Sequence, residues 1–150
     1  MVKASILIAE DDADDRFLLQ TAFAENGYTD AIEFVENGVE VMNYLNNLVV
    51  SSPIDPDQLA HVRPHFPSFI LLDLNMPKKN GREVLKEIKE HPELKKIPVI
   101  IFTTTKSEIE INRCYELGAN SYIVKPSSFE LLLKIIQQTR NYWLMTSAIP

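Results

Sequence analysis

The sequence predicts a (βα)5 three-layer α/β sandwich, with helices on both faces of a five-stranded parallel sheet of order 2-1-3-4-5. Three observations predict it. Short apolar runs recur along the chain, and Ser5-Ile6-Leu7-Ile8-Ala9 and Phe69-Ile70-Leu71-Leu72 are apolar enough to be buried on both faces. Stretches with helical spacing separate those runs. Polar or charged residues then follow the ends of four runs: Glu10-Asp11-Asp12, Asp73, Thr103-Thr104 and Lys125-Pro126. In open α/β sheets that carboxyl edge is where ligands collect.

Taken in order, strand 5–9 leads to a helix over 14–26, with apolar residues at Phe17, Leu18, Ala22 and Phe23 and a stop at Gly27. Residues 31–35 form the second strand, and 38–48 a helix through Val41, Met42 and Leu45. Residues 49–67, with Pro53, Pro56, Pro64 and Pro67, read as a long loop. The third strand is 69–72, the third helix 82–90, and the fourth strand 99–102. Ser107 to Glu110 is a capping box opening a helix that ends at Gly118. Strand 121–124 follows, and a second box, Ser127 to Glu130, opens a last helix to about 141. Right-handed crossovers between five such units suit the flavodoxin-like order.

With 150 residues, 45% of them hydrophobic, the chain suits one domain, 1–150, with a short C-terminal tail over 142–150 and no room for a separate output domain. A net charge of −6 and scattered basic residues argue against a nucleic-acid surface. The single cysteine, Cys114, excludes an internal disulfide and is expected to pack against the sheet. No stretch approaches the ~20 apolar residues of a membrane span, and Met1-Val2-Lys3 enters a strand-like run directly. These features predict a soluble, cytoplasmic protein that does not engage a membrane.

The acidic edge carries the chemistry. Carboxylates this close repel one another unless neutralised, and a divalent cation resolves the conflict. Oxygen-only ligands with room for water favour Mg²⁺, or Mn²⁺, over zinc. Glu10 and Asp11, at the strand end, are the expected metal ligands with Asp73, whereas Asp12, Asp14 and Asp15 complement a helix N-terminus. Lys125 can pair with Asp73 at rest and with an incoming anion, and its bond to Pro126 is a candidate cis peptide. Thr103 adds a hydroxyl. Together these groups describe a phosphoryl acceptor: a carboxylate nucleophile, Asp73, with cations to neutralise the transferred group.

Over residues 3–141 the chain resembles the receiver domains of two-component response regulators. The resemblance rests on Glu10-Asp11, on Asp73-Leu74-Asn75-Met76-Pro77 with Gly81, on Thr103, and on Tyr122 with Lys125-Pro126. It implies that Asp73 is phosphorylated by a histidine kinase or phosphotransferase, and that Asp11, Asp73 and the Asn75 backbone carbonyl ligate Mg²⁺. Glu10 would act through a bound water, Lys125 and Thr103 would grip the phosphoryl oxygens, and Tyr122 would be the aromatic switch. Such a protein assists its own phosphorylation and dephosphorylation rather than turning over a substrate. The long loop and the tail Tyr142-Trp143-Leu144-Met145 look most like single-domain regulators paired with bacterial phytochrome-type kinases. Two positions depart from the family pattern: Glu10 replaces the commoner first Asp, and Ser127-Ser128 follow Pro126 where an apolar residue is usual.

Rival readings are a haloacid-dehalogenase-like phosphatase, which needs a second acid where this chain has Asn75, and a flavin carrier, which needs a phosphate-cradling first loop that is acidic here. A degenerate receiver acting as a constitutive binding module is the third. His61 and His65, four apart among prolines, are a weak metal pair. For output to a downstream protein, Ile111 and Tyr115 are expected to share an exposed side of the fourth helix while Ile109, Cys114 and Leu117 face inward. Tyr122 and the Tyr142-Trp143 tail extend that interface, and the resemblance implies a homodimer through it.

Overall fold

The computed structural model describes residues 5–50 and 66–146. Strands β1 (Ser5–Ala9), β2 (Ala31–Val35), β3 (Phe69–Leu72), β4 (Val99–Thr103) and β5 (Ser121–Val124) alternate with helices α1 (Ala13–Glu25), α2 (Gly38–Val50), α3 (Gly81–Glu90), α4 (Glu108–Glu116) and α5 (Phe129–Arg140). All strand pairs are parallel, in the order β2-β1-β3-β4-β5. This is the flavodoxin-like architecture expected from the pattern of apolar runs. β3 is central, its Ile70 facing Leu7 on one side and Val99 on the other, and all four of its residues are buried.

Two apolar layers cover the sheet. Val41 and Leu45 of α2, Val84, Leu85 and Ile88 of α3, and Cys114 of α4 pack one face. Leu19, Ala22 and Phe23 of α1, with Leu132 and Ile136 of α5, pack the other. At roughly 2 kcal/mol for each large side chain removed from water, this burial dominates the energetics of the fold. A bidentate pair from Arg140 to Asp30, 2.6 and 3.1 Å, with the guanidinium 3.9 Å from the Tyr28 ring centroid, ties the end of α5 to the α1–β2 turn.

Several local expectations need correction. Phe17 and Leu18 point to solvent, Phe17 by 67%; Leu19 takes the inward position with Ala22 and Phe23. Residues 49 and 50 continue α2 rather than opening a loop, while 51–65, with His61 and His65, lie outside the described residues. Ser107 does cap α4, its Oγ accepting from the Glu110 N–H, but the Glu110 carboxylate turns away to pair with Arg82 of α3, so the reciprocal half of the box is replaced by an interhelix ion pair. At α5 the cap is Ser128, not Ser127: the backbone is extended at Ser128, whose Oγ accepts from Leu131 N–H at 3.2 Å. Ile109 is 81% exposed, leaving Cys114 and Leu117 to anchor α4. The Lys125–Pro126 peptide is trans. After α5, residues Asn141–Thr146 form a π-helical turn that tucks Trp143 and Leu144 against the α1/α5 layer.

Candidate functional site

The register of the sheet brings the strand ends level. Backbone bonds run from Glu10 N–H to Val35 O at 3.0 Å, from Asp73 N–H to Ala9 O at 3.2 Å, and from Lys125 N–H to Thr103 O at 2.8 Å. Glu10, Asp73, Thr103 and Lys125 therefore line one carboxyl edge, each just past or at the last residue of a strand. Glu10, Asp73 and Thr103 are buried, and Asp11 is exposed.

Carboxylate oxygens of Glu10, Asp11 and Asp73 lie within 4.8 Å of one another. The donor set is oxygen only, with no histidine or thiolate, and one member faces solvent; it fits a hard divalent cation that keeps waters, as Mg²⁺ and Mn²⁺ do. Asp73 is further held by a 3.2 Å bond from Asn75 N–H to its Oδ1. Asn75 itself is exposed at the site's rim.

Lys125 enters from β5. Its Nζ donates to Glu10 Oε2 at 2.6 Å, to Asp73 Oδ2 at 3.0 Å and to Asp15 Oδ2 at 3.1 Å. Burial works against its charge, but the hydrogen bond and charge of Glu10 and the charge of Asp73 outweigh it and hold the ammonium above the usual lysine range. Glu10 shifts too: burial pushes its carboxyl up to about 7, helped by the nearby Asp73 charge and opposed by Lys125. The longer glutamate side chain also accepts from Asp12 N–H at 3.2 Å, while Arg16 Nη1 donates to the Glu10 carbonyl at 2.9 Å.

Thr103 contributes a buried hydroxyl that has no hydrogen-bond partner among the described residues. An unpaired buried hydroxyl costs about 1–3 kcal/mol, which suits a group kept for an incoming acceptor. The half-buried Tyr122 donates its hydroxyl to Thr105 O at 2.8 Å, across the loop that follows Thr103. On α4, Tyr115 is 48% exposed and Ile111 half-buried. In the tail, Tyr142 rather than Trp143 is the ring left outside.

Sequence reasoning placed Glu10, Asp11, Asp73, Thr103 and Lys125 at this edge, and the strand ends bring all five together. It missed Asp15. That residue was read only as a complement to the start of α1, and its partner Lys125 lies 110 residues away, beyond the reach of local spacing. Asp12 takes the capping position instead, accepting from Asp15 N–H at 3.0 Å.

Residues 6–137 match the response regulator receiver domain. Response regulator Rcp1 of Synechocystis sp. is 35% identical, over 97% of this chain and 92% of that protein. The probable methanogenesis regulatory protein FilR2 of Methanothrix harundinacea is 34% identical, over 93% and 83%. Among solved structures, the phosphorylated cyanobacterial phytochrome response regulator RcpA aligns with a TM-score of 0.82 at 36% identity, over 99% of both chains. The Mn(2+)-bound form of Rcp1 aligns with a TM-score of 0.79 at 35% identity, over 98% of this chain and 99% of that one. The chain thus resembles phytochrome response regulators in sequence and structure, and it belongs to the receiver domains, signalling proteins that work with histidine kinases.

Proposed function

We propose that this chain accepts a phosphoryl group on Asp73 from a histidine kinase of the phytochrome type and passes the signal on through protein–protein contacts. The observation that carries the reading is Asp73 itself, a buried carboxylate at the tip of the central strand, 3.0 Å from Lys125 and grouped with two further acids. An Asp73 oxygen attacks phosphorus, the O–P bond forms as the donor's P–N bond breaks, and the electron pair leaves on the imidazole nitrogen. Asp11, Asp73 and the Asn75 carbonyl would hold Mg²⁺ directly, and the bound ion would supply neutralisation of the phosphoryl oxygens. Glu10 takes part in that site through water, Lys125 donates to a phosphoryl oxygen, and the Thr103 hydroxyl finds its acceptor in another.

Thr103 and Tyr122 link the acceptor to the surface. Movement of Thr103 toward a phosphoryl oxygen displaces the loop whose Thr105 carbonyl holds Tyr122, freeing that ring to turn inward. The population of a surface state around Ile111, Tyr115 and Tyr122 shifts in consequence. Tyr142 lies in the tail beyond α5 and adds a second exposed ring. A downstream protein or a second copy of the chain binds there. Among the described residues no helix is long and apolar enough to cross a membrane, and the reading places the exchange in the cytoplasm.

Asp73→Asn decides the acceptor. Labelling by a phosphohistidine donor or acetyl phosphate should be lost, with the unfolding transition retained. Equal labelling of mutant and wild type would overturn the assignment, and no labelling of wild type would leave a constitutive binding module.

A further inference from the structure

An ammonium group has three N–H donors, and three carboxylate oxygens surround that of Lys125: Glu10 Oε2 at 2.6 Å, Asp73 Oδ2 at 3.0 Å and Asp15 Oδ2 at 3.1 Å. Its donor capacity is fully used. An oxygen of a phosphoryl group on Asp73 can take a hydrogen bond from Lys125 only if one of the three opens. The three are unequal. The Glu10 and Asp73 side chains are 2% and 7% exposed, and neither can recover water on letting go. Asp15, by contrast, is 40% exposed, makes the longest of the three bonds, and stands outside the group of acids able to hold a cation. An exposed carboxylate regains solvent on release, so its bond is the cheapest to break.

We propose that Asp15 is a positioning residue for phosphoryl transfer: it completes the set of acceptors that fixes Lys125 at rest, and it is the partner Lys125 exchanges for a phosphoryl oxygen. The inference rests on the reading of Asp73 as the phosphoryl acceptor. The backbone of Asp15 is pinned, its N–H bonded to the Asp12 cap, so the exchange needs only a side-chain rotation and leaves α1 in place. The opposing view is that Asp15 merely complements the positive end of α1. Asp14 supplies the comparison. It lies in the same first turn with the same charge, and its side chain makes no hydrogen bond or ion pair among the described residues.

The test is beryllofluoride binding at saturating Mg²⁺, followed by amide shifts around Asp73, together with the ¹⁵N–¹H signal of the Lys125 ammonium. Asp15→Ala should bind beryllofluoride about two- to fivefold more tightly, the range expected for freeing a partly exposed ion pair. Asp14→Ala should match wild type, and Asp15→Glu should restore the wild-type value. Without the mimic, the Lys125 ammonium should exchange with water faster in Asp15→Ala than in wild type, and binding of the mimic should erase that difference. Equal tightening in Asp14→Ala and Asp15→Ala, or an unchanged ammonium signal, would overturn the role of Asp15 alone. Failure of wild type to take up beryllofluoride would remove the acceptor reading and this inference with it.

Discussion

Glu10 lies closer to Lys125 than Asp73 does, 2.6 Å against 3.0 Å. The extra methylene of glutamate brings its carboxylate across the site, so the lysine is shared between Glu10 at the end of β1 and Asp73 at the end of β3. The shared ammonium and the burial of Glu10 set how the site responds to pH.

Burial raises Glu10 from 4.5 to about 7 in the metal-free fold. The fold therefore binds this proton more tightly than the unfolded chain does, and the group's contribution to stability, complete below 4.5, is lost as pH rises through about 7. A cation at the cluster requires the carboxylate and expels the proton. Apparent Mg²⁺ affinity should climb by about tenfold per pH unit on the approach to neutrality and level off above it. Calorimetry in buffers of different ionisation heat should detect the released proton, and Glu10→Gln should flatten the profile. A wild-type profile already flat across this range would contradict the shift.

Thr103→Val should separate stability from response. The exchange keeps the shape of the side chain and removes a buried hydroxyl that has no partner among the described residues, so the resting protein should gain about 1 kcal/mol. The same variant should bind beryllofluoride more weakly than wild type. Chemical denaturation and titration on one preparation check both, and a destabilised variant would mean the hydroxyl is already satisfied.

Gly81→Ala should be among the costliest small substitutions. A Cβ there would stand 2.2 Å from the Asp73 carbonyl oxygen and 2.7 Å from Leu74 Cα, both backbone atoms that cannot turn aside. A loss of about 3 kcal/mol in urea denaturation is expected, accompanied by reduced labelling of Asp73. Gly118→Ala, where a positive φ of 108° and the flexible Lys89 stem are the obstacles, should cost about 1–2 kcal/mol. The reverse ranking would refute the close-approach argument.

Tyr115→Glu should weaken self-association at the α4 surface. Sedimentation at matched concentrations, with and without beryllofluoride, should show wild type shifting toward dimer with the mimic and the variant remaining monomeric. A wild type that is monomeric under every condition would leave this face to a different protein.

The sheet was legible because its apolar runs have few competing readings: β1, β2, β3 and β5 have the expected boundaries, and β4 runs one residue further, to Thr103. The acidic edge followed from the strand ends, since a charged residue after a buried run has to surface there. Side chains on helices were harder. α1 carries apolar residues around much of its circumference, Phe17, Leu18, Leu19, Ala22 and Phe23, so composition could not say which arc meets the sheet. Ile109 misled because an apolar residue in a first turn is not obliged to face inward. At α5 the box pattern pointed to Ser127, whereas the capping bond is made by its neighbour Ser128. Asp15 escaped because its second partner, Lys125, is 110 residues away, a relation that local spacing does not encode.

The place of β3 in the sheet governs where the molecule can yield. Flanked by β1 and β4 and sealed by both apolar layers, β3 should have amide protons among the slowest to exchange. β5 is an edge strand with every residue only half-buried, and α4 beside it rests on Cys114 and Leu117. Asp73 is thus mounted on the stillest part of the chain, and the cost of rearrangement falls at the sheet's margin, where local opening is cheapest and where Tyr122 sits.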